Sequence, residues 1–479
     1  MNSKNKKWIS LLVLLLAHLM TIVDIFIVNI AIPTIQQGLD TTHSEIQLVI
    51  AMYMIGFASF LIIGGKAGDH YGRKNVFLLG TFIFMISSAW CGFAATSEQL
   101  IALRFFQGVS AGLMSPQVLS YIQVLFTNHQ QRTYAIGWYG IAIGIGTMLG
   151  QFLGGFLVAL KPYIIDQSWR YIFLINVPIC ILTIGLANSY LKPSKDQNSV
   201  KMDYASAAIL SIGLVLLIFS LTIGLEQENP LHNSGLPLSM LFITLFILRQ
   251  KRRMKIQKQT LLNLTLFTFK NFNMAVLLVA LFMLMLDAYF FVLALFLQDG
   301  LKLSPMHAGY FVVFQGGGFI LSSLFAAKWV LRFGKNVLLF GVFLLIVAMI
   351  SQLVLFYHQQ IGFTGYIIMA MHGFGVALVL PSFANIALKD IPENMIGNAS
   401  GVYSTLQQLF GAIGIALTGG VFYHILDGNS DFIHFYKAFK YGLLIHLSCL
   451  IGVLCTLIYL PKSILPLGVS KKQKTLTNQ

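Results

Sequence analysis

Two aspartates lie in the middle of long apolar segments of this chain, where a negative charge needs a specific reason. Asp24 lies in KKWISLLVLLLAHLMTIVDIFIVNIAIP, and Asp287 lies in NMAVLLVALFMLMLDAYFFVLALFLQ. An ionisable side chain at bilayer depth is costly, so such residues usually face a cavity, a partner or a proton path. The two acids therefore predict a membrane transporter.

A third charge, Arg104, lies inside the fourth apolar segment at a predicted depth close to that of Asp24. Counted from the same membrane face, both residues are roughly 10 Å deep at 1.5 Å per residue. A lone arginine at this depth needs a carboxylate or polar backbone groups, so we expect the two side chains to pair. The pair would either hold two helices together permanently or open during each transport cycle.

Asp287 differs from Asp24 because no polar side chain lies one helical turn away. Its neighbours there are Met283, Leu284, Phe290 and Phe291. An isolated acid in apolar surroundings suits a group that loads and releases a proton in each cycle. The alternative is a structural carboxyl group that is held neutral by a hydrogen bond from another helix.

The composition places the chain in the membrane class. Mean hydropathy is +0.78, and charged residues make up only 10% of the 479 residues, too few to cover a soluble domain of this size. Apolar runs of about 20 residues predict spans. There are fourteen such runs: 9–31, 45–64, 75–95, 98–122, 134–160, 170–190, 204–224, 236–250, 272–297, 306–329, 336–356, 361–385, 397–424 and 438–460.

Lysine and arginine set the predicted orientation. With both termini cytoplasmic, 25 of the 31 lysines and arginines fall in cytoplasmic segments, as the positive-inside rule requires. The basic run RQKRRMKIQK at 249–258 and the net charge of +15 therefore indicate cytoplasmic loops, and we expect no nucleic-acid binding. The first apolar run is too long for a secretory signal and predicts an uncleaved first span.

The sequence lacks the motifs that would indicate an enzyme site. The four cysteines lie within predicted spans and show no metal-ligand spacing. No phosphate-binding loop of the GxxxxGK[ST] type occurs. We therefore expect no enzyme activity, no cofactor and no metal, with a proton gradient as the source of energy.

The chain contains an internal repeat. The loop GKAGDHYGRK (65–74) matches AKWVLRFGKN (327–336) at a shift of 262 positions. The same shift carries Asp24 to within one residue of Asp287. Two parallel halves that each begin with an acid-bearing span predict a duplicated six-helix bundle. We thus expect an all-α membrane protein of 6+2+6 helices, with an N-terminal bundle at 1–198, a two-helix insert and basic loop at 199–270, and a C-terminal bundle with a short cytoplasmic tail at 271–479.

These motifs together resemble the major facilitator superfamily, and more narrowly its fourteen-span drug:proton antiporters of the EmrB/QacA-like group. The resemblance covers about residues 9–460. It is carried by DIFIVNIAIP (24–33), LRFFQGVSAG (103–112), GIGTMLGQFLGG (144–155), WRYIFLINVP (169–178), LSPMHAGY (303–310) and GNASGVYSTLQQLFGAIG (397–414), with the repeated loop. It implies two six-helix bundles around a central cavity that opens alternately to either side.

The resemblance also assigns roles to residues. The loop after the second span would latch the two bundles on the cytoplasmic side through Gly65, Asp69, Gly72, Arg73 and Lys74. The fifth span would form an antiporter-type glycine interface through Gly146, Gly150, Gly154 and Gly155, although close helix packing is a simpler reading of these glycines. Gln151 stands where the group usually has proline, so the bend expected at that proline is in doubt.

We expect Asp24, Arg104 and Asp287 to couple protons to substrate. Further cavity candidates are polar or aromatic residues on the spans, with His18 and His372 able to titrate or simply to pack. They are His18, Asn29, Gln107, Trp138, Tyr139, Phe290, Phe291, His372 and Gln407.

The function expected from these features is export of lipophilic, cationic drugs in exchange for protons, a multidrug-efflux activity that would confer antibiotic resistance. The alternatives are a carrier for one metabolite or siderophore, in which Arg104 would bind a carboxylate, and a sensor that no longer transports. The expected partners are lipophilic small molecules, protons and membrane lipids. We expect a multi-pass protein of the bacterial inner membrane. A periplasmic adaptor is possible, but nothing in the sequence indicates one.

Overall fold

The computed structural model describes residues 3–161, 166–195, 203–223, 230–258, 260–359, 361–392 and 395–460. Within these ranges the chain is helical, with fourteen long α-helices. They are α1 (Ser3–Leu39), α2 (His43–Tyr71), α3 (Arg73–Gly92), α4 (Ser97–Leu125), α5 (His129–Ala159), α6 (Asn176–Tyr190), α7 (Tyr204–Ile223), α8 (Pro230–Lys255), α9 (Lys270–Leu295), α10 (Pro305–Phe333), α11 (Lys335–Tyr357), α12 (Phe363–Leu388), α13 (Ile396–Leu426) and α14 (Phe432–Tyr459).

Twelve of these helices are long and apolar enough to cross a membrane, and α4 and α8 do not qualify. The sequence-based count of fourteen spans is therefore not supported by length and hydropathy. Polar residues such as Arg104 and Gln107 lower the mean hydropathy of α4. Helix α8 ends in the basic residues Arg252, Arg253 and Lys255, which lower its hydropathy as well. The predicted 198/199 boundary and the predicted C-terminal tail lie outside the described residues.

The internal repeat is visible in the helix limits. Helices α2 and α10 each have 29 residues, and both ends of α10 follow those of α2 by 262 positions. Each of these helices ends at a glycine with a positive φ angle, 96° at Gly72 and 57° at Gly334. Residues with a Cβ rarely adopt such angles, so both halves use a glycine for the tight turn into the next helix.

Helix packing repeats as well. In the first half α2 and α3 pack on α4, while α1 packs on α5 and α6; in the second half α10 and α11 pack on α12, while α9 packs on α13 and α14. Small residues allow this close approach: a Cβ on Gly56 would overlap α4, and one on Gly108 would overlap α2. The two halves meet through α5 against α10 and α2 against α13, two contacts related by the same symmetry.

Helices α7 and α8 form an antiparallel hairpin that packs on α2 and α13. The hairpin is clamped at one end, where Arg249 and Arg253 each approach Asp203 to 3.0 Å. Burial alone would raise the pKa of Asp203, but hydrogen bonds from Ser206 and Arg249 outweigh it and hold the pKa below its usual range. The clamp is therefore charged at neutral pH.

The segment that leaves the hairpin touches both halves of the molecule. Lys66 of α2 donates to the carbonyl of Thr260. Asn398 at the start of α13 accepts from the amide of Asn263 at 3.1 Å and donates to the carbonyl of Leu261 at 3.2 Å. We call the membrane side that carries this segment and the α2–α3 turn the proximal face, and the side that carries the α1–α2 turn the distal face.

Candidate functional site

Asp24 and Arg104 form a fully buried ion pair, as their matched depths predicted. Nη1 of Arg104 lies 2.5 Å from Oδ2 of Asp24, and both side chains are completely shielded from solvent. Nε of Arg104 donates to the carbonyl of Val49 at 3.1 Å, and the guanidinium lies 4.3 Å from the ring centroid of Tyr53. The pair thus joins α1, α2 and α4.

Neutral polar side chains complete the surroundings of Asp24. Its Oδ1 accepts hydrogen bonds from Gln107 at 2.8 Å and from Asn176 at 2.9 Å. Both amides also donate to the hydroxyl of Ser88. The sequence analysis named Gln107 as a cavity candidate and missed Ser88 and Asn176, although Asn176 lies in the quoted WRYIFLINVP motif. The whole network belongs to the first six helices.

Asp287 lies where the two halves of the molecule meet. It sits on α9 beside Gly411 of α13 and Met54 of α2, so closely that a methyl group on Gly411 would overlap its carboxylate. Its side chain is partly accessible, and among the described residues it makes no hydrogen bond or ion pair. Asp287 therefore has no polar partner among the described residues, and side chains of both halves lie around Gly411 beside it.

Aromatic rings and one amide lie near this acid. Phe290, one turn from Asp287, packs edge-on against Phe26 of α1 with centroids 5.2 Å apart. Gln407 lies one turn before Gly411 on the same face of α13 and is partly accessible. These two cavity candidates are close to the interface between the halves.

His18 and Tyr139 form a second contact near that interface. Their rings stack with centroids 4.2 Å apart, linking α1 to α5. Both ring nitrogens of His18 lack a hydrogen-bond partner in the described part of the chain, and so does Oδ1 of Asn29. Within the described residues His18 therefore packs by ring stacking and not through a hydrogen bond.

Two cavity candidates are placed elsewhere. Trp138 is 51% exposed and lies about 120° around α5 both from Gly144, which meets α10, and from Gly150, which meets α1. Phe291 is fully buried against Gly419 and Tyr423 of α13. Neither residue is positioned to line a central cavity, because a residue's spacing from an acid does not fix the face of the helix on which it lies.

His372 belongs to the core of the second half. It is fully buried and stacks on Tyr289 with centroids 4.4 Å apart. Tyr289 shares hydrogen bonds with Gln352, and His446 lies beside the same ring. These residues come from α9, α11, α12 and α14, which correspond to the helices that hold the Asp24 network. The second half thus keeps a polar core at the equivalent place, without the ion pair.

The glycines of α5 serve two interfaces. Cβ atoms on Gly146 and Gly150 would each come within 2.8 Å of α1, and one on Gly155 would reach α10. Gln151 is 1% exposed, and neither atom of its amide has a partner among the described residues. Helix α5 continues from His129 to Ala159 through this position. The glycines therefore support close packing both within the first half and between the halves.

The loop after α2 has a different set of partners from the one expected. Asp69 pairs with Arg73 at 2.8 Å, Arg73 also binds Ser194, and Lys74 donates to the carbonyl of Asn188. Gly65 faces Pro116. In the described chain these polar contacts stay within the first half, so the expected latch across the halves is not formed by these side chains.

The second copy of the loop behaves in the same way. Lys335 donates to the carbonyls of Ile458 and Leu460, at the end of α14. Cations stabilise the carbonyl end of a helix, and Lys74 and Lys335 do so for the last helix of their own half. A basic residue at the start of the third helix of each half thus fastens that helix to the end of the sixth.

The halves are held more tightly at the distal side. His43 stacks on Tyr423 with centroids 3.9 Å apart, and Gln298 donates to the carbonyl of Ile30 at 2.8 Å. Near the proximal end of α5, by contrast, Cβ atoms on Gly137 and Gly140 would meet nothing within 4 Å. Helices α5 and α10 therefore separate toward the proximal face.

Comparison with known proteins agrees with this architecture. The sequence profile of the Major Facilitator Superfamily matches residues 14–415. The chain is 32% identical over 433 residues to a probable actinorhodin transporter of Streptomyces coelicolor, covering 89% of this chain and 74% of that protein. It is 28% identical to the riboflavin transporter RibZ of Clostridioides difficile (96% and 98% covered) and 28% identical to the puromycin resistance protein pur8 of Streptomyces alboniger (87% and 82% covered). A D-xylose–proton symporter of known structure has the same fold, with a TM-score of 0.66 at 17% identity over 95% of this chain and 98% of that one.

Proposed function

Since the chain belongs to the major facilitator superfamily and is a multi-pass membrane transporter, we propose that it is an antiporter that exports lipophilic, cationic organic compounds in exchange for protons. The observation that carries this proposal is the position of Asp287. It is a partly accessible acid with no polar partner in the described chain, placed where both halves meet. Such a group can hold either a proton or a cation.

Asp24 has a different role in this proposal. Its carboxylate is saturated by Arg104, Gln107 and Asn176 and belongs to one half only. Breaking a buried ion pair on one side strands an uncompensated charge, so we assign Asp24 and Arg104 to holding the first half together. Proton exchange is then carried by Asp287, with about one proton moved per cationic substrate.

The membrane arrangement completes the proposal. We propose that α4 and α8 also cross the bilayer, because each lies beside helices that qualify as spans. Fourteen spans would place both termini on the proximal side. The proximal face would be cytoplasmic in a bacterial inner membrane, with residues 1–198 and 271–479 as two bundles around a central cavity and 199–270 as the insert.

Substitution of Asp287 tests the proposal. In inverted membrane vesicles we expect Asp287→Asn to insert normally, because a buried acid that costs roughly 2.5–3.5 kcal/mol is removed. Its pH-driven uptake of a cationic dye should be lost, whereas Asp287→Glu should retain part of it.

Asp427→Asn is the matched control. Asp427 is an exposed acid immediately after the end of α13, with φ 45°, a conformation that asparagine tolerates. It should transport like the parent chain. Parental transport by Asp287→Asn at equal membrane abundance would remove Asp287 from the mechanism.

A second candidate function is a carrier for one metabolite. The similarity to the riboflavin transporter favours it, because the alignment covers nearly the full length of both chains. Arg104 does not supply a carboxylate site for such a substrate, since it is committed to Asp24 and Val49. Uptake of cationic dyes and of organic acids and flavins by the same vesicles distinguishes the two candidates. Saturable transport of one neutral or acidic compound, with no dye transport, would favour the metabolite carrier.

A further inference from the structure

An apolar groove of about 890 Å³ lies between α7 of the hairpin and helices α2, α3 and α4. Its lining includes Phe60, Ala67, Leu79, Phe105, Ile212 and Val215. Leu79 and Ile212 are 52% and 44% exposed, so the groove is open on its outer side. An open apolar groove on a spanning helix lies among lipid tails and offers space for an acyl chain.

The proximal end of the groove is polar, and charged residues adjoin its lining residues in the chain. The hydroxyls of Tyr71 and Tyr204 are 2.6 Å apart there, and tyrosine is typical of the membrane interface. Lys66 precedes the lining residue Ala67, and Asp203 precedes Tyr204.

The charges at this end do not balance. Among the described residues of this cluster, Lys66, Arg249 and Arg253 lie around one carboxylate, that of Asp203, so these four side chains carry a formal charge of +2. Exposed basic residues continue along the end of α8, among them Lys251, Arg252 and Lys255. This is the basic run that the sequence analysis explained only by topology.

We propose that this groove and its basic end form a binding site for an anionic phospholipid. One acyl chain occupies the groove between α7 and the first half, and the phosphate lies against the basic end, among Lys66, Arg249 and Arg253. Basic clusters beside a span attract anionic lipid. The apolar groove adds the tail contact that a soluble phosphate cannot make. The lipid thereby joins the hairpin to α2.

Lipid retention by the purified full-length protein tests this site without any transport assay. The protein is equilibrated in mild detergent with phosphatidylglycerol and phosphatidylcholine of identical tails, and bound lipids are counted by native mass spectrometry. We expect one retained phosphatidylglycerol. Lys66→Gln combined with Arg249→Gln should lower its retention by about tenfold or more. Lys328→Gln, at the position that the repeat relates to Lys66, should not.

A second variant addresses the tail. Ala208→Trp fills the groove and should also release the lipid, whereas Ile451→Trp on the outer side of α14 should not. Soluble glycerol phosphate should not displace the lipid. Equal retention of phosphatidylcholine, displacement by glycerol phosphate, or unchanged phosphatidylglycerol in the filled-groove variant would each overturn the proposal.

Discussion

At the scale of single residues, the two intramembrane acids differ in every contact. The carboxylate of Asp24 is completely buried and is bonded to one arginine and two side-chain amides. The carboxylate of Asp287 lies among apolar side chains beside a glycine of the facing helix, and the residue is partly accessible to solvent. The sequence already distinguished the two acids, because Asp287 has no polar side chain one helical turn away. Their surroundings assign one to structure and the other to exchange in our proposal.

The contact between Asp287 and Gly411 gives a prediction. In Gly411→Ala the added methyl would overlap the carboxylate and Met54, and overpacking typically costs about 1–3 kcal/mol. We expect pH-driven dye uptake to fall about tenfold, which corresponds to about 1.4 kcal/mol. Gly397→Ala is the control on the same helix, because a Cβ there meets nothing within 4 Å. Equal transport by the two variants would contradict the role of this contact.

The buried ion pair gives a second prediction. Arg104→Gln strands the carboxylate of Asp24, and removing one partner of a buried pair costs roughly 3–5 kcal/mol. Adding Asp24→Asn should restore much of the lost stability. A double-mutant cycle on thermal unfolding in detergent measures the coupling, which we expect to exceed 1 kcal/mol. Additive losses would show that the two charges do not depend on each other.

At the scale of helices, the two tight turns at Gly72 and Gly334 are the clearest mark of the repeat. Both glycines have positive φ, where a Cβ costs about 1–3 kcal/mol. We expect Gly72→Ala and Gly334→Ala each to lower the melting temperature in detergent. Gly137→Ala, inside a helix with open space around it, should not. A parental melting temperature in either turn variant would contradict the assigned backbone conformation.

The helices were largely predictable, because the length of an apolar run and a glycine at a helix end are local features of the sequence. The predicted second and tenth spans fall inside α2 and α10, and the 262-residue shift recurs in the helix limits. Helix α8 was predicted as a short span at 236–250 but extends over Pro230–Lys255. The polar residues at both ends of α8 have low hydropathy and lie outside the apolar run. The run therefore could not indicate the full length of the helix.

The contacts of the site were less predictable. The depth of Asp24 and Arg104 can be counted from the sequence, and so their pairing was expected. The inward or outward direction of Trp138 and Phe291 depends on which helices surround α5 and α9. The polar core around Tyr289 and Gln352 requires four helices from separate parts of the second half. Such contacts are set by tertiary packing and leave no local signal.

At the scale of the whole molecule, the closed distal side predicts a mechanical requirement. If the halves rock against each other, the stacked rings of His43 and Tyr423 must separate. We expect His43→Cys with Tyr423→Cys, joined by a short thiosulfonate linker in a background without the native cysteines, to block transport reversibly.

The control pair is Trp8→Cys with Phe126→Cys. These rings are 4.9 Å apart but belong to the same half, so linking them should leave transport intact. Continued transport with the distal pair fully linked would rule out opening at that face.

The antiparallel hairpin has a consequence for how such a chain can evolve. Because α8 runs back beside α7, with Ser239 bonded to Gly213 and Arg249 to Asp203, the chain returns to the face it left and α9 starts where α1 starts. The number of membrane crossings between the halves must stay even. Two crossings can therefore be gained or lost together without inverting the orientation of the second half in the membrane. Loss of α7 or α8 alone would invert all six helices that follow, so this segment can be inherited only as a unit.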